Sequence, residues 1–222
     1  MLITSRSYPE YLAMFGLDDE DLAGGVVDVS AGGSSFVAGC WERGLAALAV
    51  DPVYSRPSAK LAGSVRDAID AGHAIIADHP DRFVWDYYGN AEGHRAVRME
   101  SASRFLTDIR AYPQRYVAGE LPHLPLRAGA VRTVLCSHLL FTWSDLFDEA
   151  WHLAAIRELV RVAGQKVRIF PLVTAGSGDA VPYLDEIVAT LERRCGVRCR
   201  RQPVRYEFQR GGNTALVIER VT

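Results

Sequence analysis

The short apolar run Val26-Val27-Asp28-Val29 breaks into a turn of small residues, Ser30-Ala31-Gly32-Gly33-Ser34-Ser35. Phe36, Val37, Cys40 and Trp41 then follow at helical spacing. A second apolar run, Leu45 to Val50, begins beyond Gly44 and stops at Asp51-Pro52. The order is strand, tight turn, helix, strand, and it constrains the fold more than any other part of the chain. Two strands joined by a crossover helix lie parallel in one sheet, with a right-handed connection. By residue 51 the chain is therefore committed to an α/β layer structure with helices packed on the sheet.

The remainder extends this alternation. Residues 55–112 read as helical throughout, with breaks near His79-Pro80 and Gly89-Asn90, more than a single crossover helix needs, and predict an inserted helical cap. Strands are predicted at Tyr116-Val117-Ala118, Arg132 to Leu140 and Val167 to Val173, and helices at Leu146 to Val162 and Asp179 to Arg194. From Val197 to Val221 apolar and polar residues alternate around Gly211-Gly212-Asn213, a hairpin signal that closes the sheet with an antiparallel pair. In residues 1–24, Tyr8, Tyr11, Met14, Phe15 and Leu17 line one side of a short helix, an amphipathic lead-in. All 222 residues, 1–222, read as one domain carrying the lead-in and the cap.

Composition narrows the function classes. With 49% apolar and 23% charged residues the chain can bury a core, which excludes intrinsic disorder. A formal net charge of -2 supplies no basic field for a phosphate backbone, so nucleic acid is not the expected partner. Arg193, Arg194, Arg198, Arg200 and Arg201 read as a solvated helix end and strand edge. No apolar run spans a bilayer and no secretory leader opens the chain, so no membrane partner is expected and a reducing cytoplasm is. Cys40, Cys136, Cys195 and Cys199 then read as free thiols, and a lone Cys-x-x-x-Cys without a nearby His predicts no metal site.

In open α/β sheets ligands bind beyond the carboxyl ends of the strands. Asp28, Asp51 and Glu120 follow the first three strands and would line one rim. The turn after the first strand lacks the Gly-x-Gly-x-x-Gly spacing of a dinucleotide site, and acids there repel phosphates. They suit a ligand with a sulfonium, an ammonium, ribose hydroxyls and an adenine amine, which favours S-adenosylmethionine over a nicotinamide dinucleotide.

Four segments in this order resemble the motifs of class I S-adenosylmethionine-dependent methyltransferases: Val26 to Ser34, Ala49-Val50-Asp51-Pro52, Glu120 to Leu126, and Val134-Leu135-Cys136-Ser137-His138. The resemblance implies a Rossmann-like fold with a mostly parallel seven-stranded sheet whose last strand is antiparallel. It implies that Ser30, Ala31 and Gly32 meet the methionine part of the cofactor, with Asp28 orienting the turn or reaching the ammonium. By the same resemblance Asp51 accepts the ribose hydroxyls, Glu120 the adenine amine, and Pro52 and Leu121 pack by the base. Ser137 and His138 would open toward the methyl group, with Tyr11 as a lid residue. The implied activity is methyl transfer to a small molecule, leaving S-adenosylhomocysteine.

A base helps if the acceptor is a hydroxyl or a protonated amine; His138 is the candidate, with Asp145 and His152 also in view. Phe83, Trp85, Tyr87 and Tyr88 either line an acceptor pocket or anchor the cap. Ser30 and Ser34, where glycine is common, leave open a fold that binds without catalysing. A nicotinamide-dependent Rossmann enzyme stays open on fold analogy.

Overall fold

A computed structural model describes residues 3–221, so Met1, Leu2 and Thr222, the outermost residues of the expected lead-in and domain, lie outside it. Its centre is a seven-stranded sheet: β1 (Val26–Val29), β2 (Ala47–Val50), β3 (Tyr116–Val117), β4 (Val131–Ser137), β5 (Ala163–Phe170), β6 (Val197–Pro203) and β7 (Thr214–Arg220). The strand order is β3-β2-β1-β4-β5-β7-β6. β3, β2, β1, β4 and β5 pair in parallel, while β7 runs antiparallel to both β5 and β6. This is the expected Rossmann-like sheet, with its direction reversed in the last strand.

β1 reads as an uninterrupted apolar run around Asp28 because all four residues are buried between two helical layers. Strand alternation sends Val27 and Val29 to one face and Val26 to the other. The first face packs under α6 (Glu149–Val162) and α7 (Leu184–Cys195), through Ile156, Leu159, Ile187 and Leu191. The second packs under α1 (Tyr8–Phe15), α3 (Phe36–Trp41) and the paired helices α4 (Ser58–Asp78) and α5 (Ala91–Ala111). Phe105 of α5 meets Tyr54 and Tyr116 edge to face or tilted, which seats the lower half of α5 as the crossover into β3. Ser7 and Glu10 close a reciprocal capping box at the start of α1.

Several boundaries differ from the sequence expectations for local reasons. β4 stops at Ser137 rather than Leu140, because His138 turns to φ 52° and donates its amide to the Phe170 carbonyl at 2.7 Å. β5 ends at Phe170, ahead of Pro171, which has no N–H for the ladder. Helix α6 waits until Glu149, where the Asp148 carboxylate caps the Trp151 amide at 2.8 Å. Helix α7 begins at Leu184 rather than Asp179, since Pro182 disfavours helical backbone at Val181. The expected hairpin forms, but with a long connection, residues 204–213, that reaches across to pair Gln209 with Phe83.

The arginine-rich stretch is solvated, as its spacing suggests: Arg193 pairs with Glu186 at 3.0 Å, Arg201 with Asp185 at 2.5 Å, and β6 is a sheet edge. Cys40 and Cys136 are buried, Cys195 and Cys199 half-buried, and all four thiols are free.

A different ion cluster is buried. Asp21, in the short helix α2 (Asp19–Leu22), receives Arg168 and Lys166 of β5 at 2.7 Å each, and Arg168 also donates to the Phe15 carbonyl at 2.8 Å. Removing the carboxylate would strand the Arg168 guanidinium where water cannot reach it. Asp21→Ala is therefore expected to cost about 3–5 kcal/mol in urea unfolding. Cutting the exposed Arg193–Glu186 pair with Arg193→Ala should cost under about 1 kcal/mol in the same assay.

Candidate functional site

The carboxyl ends of β3, β2, β1 and β4 lie side by side, so the loops after them share one edge of the sheet. The turn after β1 is fastened to β2. Ser30 donates its amide to the Val50 carbonyl at 2.8 Å, and the Gly32 amide reaches Asp51 Oδ2 at 2.9 Å. Asp51 Oδ1 accepts from the Val53 amide at 2.9 Å, while the Tyr54 hydroxyl donates to the Gly32 carbonyl at 2.8 Å. Burial raises the Asp51 pKa, and these two amides with the Arg56 charge only partly oppose it. Ser30 sits at φ 61° and Gly32 at φ 57°, so the serine holds a conformation usually left to glycine.

The chain's leading segment lies flush on this turn. The Thr4 carbonyl accepts the Gly33 amide at 3.0 Å, and the Arg6 carbonyl accepts from the Ser35 amide at 2.9 Å and the Ser101 hydroxyl at 2.8 Å. A Cβ on Gly32 would stand 3.0 Å from the Thr4 carbonyl oxygen, and one on Gly33 2.6 Å from Ser5 Oγ. Only glycine permits that approach.

Asp28 is fully buried, and neither carboxylate oxygen has a hydrogen-bond partner among the described residues. Burial drives its pKa well above the ordinary value; nearby Tyr11 and Arg6 oppose the shift and Asp51 adds to it. Tyr11 is also fully buried, stacked on Phe36 at 4.5 Å, with its hydroxyl 3.4 Å from Ser137 Oγ. The Tyr11 hydroxyl approaches Asp28 without completing a hydrogen bond to it. Asp28 lies near enough to Cys40 to raise that thiol to about 12, after burial itself.

Tyr11, Asp28, Ser30, Ala31, Gly32, Asp51 and Ser137 thus come together around the ends of β1, β2 and β4. Glu120 and Pro52 are exposed; the Glu120 backbone bridges to His123, and no hydrogen bond joins its side chain to Asp28 or Asp51. The rim expected of three acids is therefore two buried acids, with Glu120 farther out beside buried Leu121. His138 projects at the end of β4 with Nδ1 shielded and unpartnered. Burial first, then the charges of Arg6 and Arg98, hold its pKa well below 6.5. His152 is spoken for: Nε2 lies 3.0 Å from the Leu140 carbonyl and Nδ1 2.8 Å from the Asp148 carbonyl, so it ties α6 to the loop after β4. Asp145 is exposed.

Sequence reasoning missed a buried network beside this site. Arg98 pairs with Glu10 at 2.7 Å and donates to the Ser5 carbonyl at 3.0 Å and the Tyr88 hydroxyl at 2.9 Å. The Tyr88 hydroxyl also donates to Glu10 and lies 2.6 Å from the Tyr206 hydroxyl. Burial alone would raise the Glu10 pKa, yet Arg98, Tyr88 and the Ser7 amide together hold it below the usual carboxylate value. The one available signal was Ser7-x-x-Glu10, which reads as a helix cap and as nothing more. The aromatic residues of the α4–α5 connection pack on Tyr206 and Phe208: Phe83 stacks on Phe208 at 4.7 Å and Tyr87 meets Tyr206 edge to face at 5.1 Å.

No protein-family model matches the chain. It is 24% identical over 220 residues to an uncharacterized protein of Methanocaldococcus jannaschii, covering 99% of this chain and 96% of that one. It is similar in structure to magnesium protoporphyrin IX methyltransferase of Synechocystis with bound S-adenosylhomocysteine, with TM-score 0.52 and 12% identity over 96% of this chain and 82% of that one. Mitomycin 7-O-methyltransferase gives TM-score 0.52 and 16% identity over 97% of this chain and 54% of its own. An O-methyltransferase of neocarzinostatin biosynthesis, in complex with S-adenosylhomocysteine and 1,4-dihydroxy-2-naphthoic acid, gives 0.51 and 17% over 96% and 53%. The chain spans about half the length of these last two proteins.

The unpartnered Asp28 carboxyl makes a stability prediction. Its native pKa lies above the unfolded one, so the native state loses stability as pH rises from the ordinary carboxylate range. Asp28→Asn keeps the shape and removes the charge. The variant is expected to melt higher than wild type by the equivalent of about 1–3 kcal/mol near neutral pH, with the gap closing below pH 3.8. Melting curves across pH check it; a variant less stable than wild type at pH 8 would refute it.

Proposed function

We propose that this chain, which has the class I S-adenosylmethionine-dependent methyltransferase fold, transfers a methyl group from S-adenosylmethionine to a small molecule. The carrying observation is Asp28, a buried carboxylate with two unpartnered oxygens beside Asp51 on the carboxyl edge of β1 and β2. Such a pair fits a ligand that brings an ammonium and ribose hydroxyls, and Asp51 keeps lone pairs free beyond its two amide bonds. When bound, the cofactor supplies a methyl group on a cationic sulfur that is already a good leaving group.

In this reading Asp28 meets the ammonium, Asp51 the ribose hydroxyls, and Ser30, Ala31 and Gly32 the methionine backbone. Leu121 and Pro52 pack beside the base and Glu120 takes the adenine amine. Because Thr4 and Arg6 hold the Gly33 and Ser35 amides, residues 3–6 give up those bonds as the cofactor enters. Tyr11 and Ser137 then fix the wall beside the reacting group. The protein's main contribution is alignment, since in-line displacement gains most from holding acceptor and methyl group together. His138, kept uncharged, accepts a hydrogen bond or a proton from the acceptor.

The helical pair α4–α5, with residues 55–112 as a cap on a single domain, closes the acceptor side together with Tyr206 and Phe208. A small acceptor is favoured by this enclosure and by the porphyrin, mitomycin and naphthoate for which proteins of like fold are named. No helix among the described residues is long and apolar enough to cross a membrane. The four free thiols accord with a reducing cytoplasm.

One observation favours a second reading, a methyltransferase-like fold that binds without catalysing: the turn amides already have partners in residues 4–6. Retained cofactor binding with no methylation of any acceptor in a broad panel would select it.

Calorimetry tests the main reading. Saturable binding of S-adenosylmethionine and S-adenosylhomocysteine tighter than about 1 mM is expected, weakened roughly 10- to 100-fold in Asp51→Ala. No heat with either nucleoside would overturn it. Once an acceptor is known, His138 makes a kinetic prediction. Its depressed pKa keeps it neutral across the physiological range, so the rate should stay level from about pH 8 to about pH 6. A fall centred near pH 6.5 and absent in His138→Gln would show an ordinary titrating histidine instead.

A further inference from the structure

A further pocket lies beside the leading segment, bounded by the α4–α5 pair and Phe208 that the proposed function sets on the acceptor side, and the methyl-transfer reading gives its polar side chains no role. It is a cavity of about 130 Å³ between residues 3–6, α4, α5 and Phe208. Three arginines, Arg6, Arg95 and Arg98, and two histidines, His73 and His94, line it, and no carboxylate does. Arg98 is neutralised by Glu10 at 2.7 Å and Arg95 by Asp70 at 2.7 Å. Arg6 is 7% exposed and has no carboxylate within ion-pair distance among the described residues. It donates Nη1 to Thr4 Oγ1 at 2.6 Å, and its Nε is unpartnered.

Other polar atoms at this cavity are equally idle. His94, also 7% exposed, leaves Nδ1 without a partner while its ring stacks on Phe208 at 4.5 Å. His73 Nδ1 is buried and unpartnered as well. Burial and then the charges of Arg98, Arg6 and His73 push the His94 pKa down to about 2. The charges of Glu10 and Asp28 reach Arg6, but neither carboxylate pairs with it, and a buried guanidinium without a paired anion, beside idle polar atoms, is costly. The remaining walls, Ile3, Ala68, Ile69, Ile76 and Phe208, are apolar.

From this geometry we infer that the cavity binds a small organic carboxylate, its oxygens on Arg6 and His94 and its short apolar part against Ile69, Ile76 and Phe208. Arg6 supplies a planar set of donors suited to a carboxylate, and the apolar walls favour a short-chain acid over a fully hydrated inorganic ion. The inference goes beyond methyl transfer and does not rest on it, because neither cofactor nor turnover enters its test.

The test is thermal melting of the full chain titrated with sodium butyrate, with butyramide, inorganic phosphate and sodium chloride at matched ionic strength as comparisons. Butyrate is expected to raise the melting temperature saturably, and the other three are not. Arg6→Gln should weaken the butyrate response tenfold or more. Gly72→Leu gives a second variant that spares every polar group. Gly72 lines the cavity, and a Cβ built there meets nothing within 4 Å, so the leucine fills the space from a helical position. It should abolish the response while leaving the unliganded protein at least as stable. An equal response to butyramide or chloride, a response to phosphate alone, or wild-type affinity for butyrate in either variant would overturn the inference.

Discussion

The buried ion pair between Glu10 and Arg98 governs how the leading helix α1 meets α5. Glu10 is on α1 and Arg98 on α5, far apart in the chain, and both are almost wholly removed from water. Ion pairs at such depth gain little net stability, because desolvation of two charges cancels most of their attraction. What they impose is uniqueness. The guanidinium must find Glu10, the Ser5 carbonyl and the Tyr88 hydroxyl together, and any other docking of α1 strands a charge. Fixing α1 fixes Tyr11 over Asp28 and lays Thr4 to Arg6 along the glycine turn.

That docking separates two electrostatic regions. Beneath α1, on the ends of β1 and β2, are the acids Asp28 and Asp51, both with raised pKa values. On the other side of the leading segment are the Arg6 and Arg98 side chains, which with burial depress His94 beside them and, across the segment, His138 at the end of β4. The leading segment runs between them, presenting the Thr4 and Arg6 carbonyls and Ser5 Oγ to the turn and lining the cavity on its other side. In a poorly solvated interior such charges are screened little, so those of Arg6 and Arg98 reach across the segment to His138.

The sheet was legible in the sequence and its margins were not, for a physical reason. Parallel strands buried on both faces leave apolar runs, as at Val26 to Val29 and Val134 to Cys136, and a small-residue turn between strand and helix fixes where the ligand edge lies. Helix starts moved because capping by Asp148 and the proline at 182 act over one or two residues, below the resolution of a hydrophobic period. Asp28 and Asp51 could be named because they lie at the carboxyl ends of apolar runs, Asp28 one residue inside the end of β1 and Asp51 just past β2. Glu10, Arg98, Tyr206 and Phe208 could not, since nothing local to each residue announces a partner about ninety or more positions away. Glu120 shows the limit in the other direction: order along the chain puts it on the correct edge, and only coordinates reveal that it stays in water.

Backbone strain falls at that same edge, where the Asp28 carboxyl is also unmet. Ser30 and His138 are the non-glycine residues with positive φ among the described residues, and they follow β1 and β4, the two strands that pair through Asp28 and Leu135. Holding an L residue in the left-handed region costs about 1–2 kcal/mol, and each unmet buried polar group costs a comparable amount. A sheet edge could shed both costs with glycine at Ser30 and an apolar residue at Asp28. The expense is met by the surrounding ladders, in which every residue of β1 is paired on both sides. A turn this strained, next to a carboxylate this poorly satisfied, is the kind of local cost that accumulates at functional sites, which is the reading proposed for this edge.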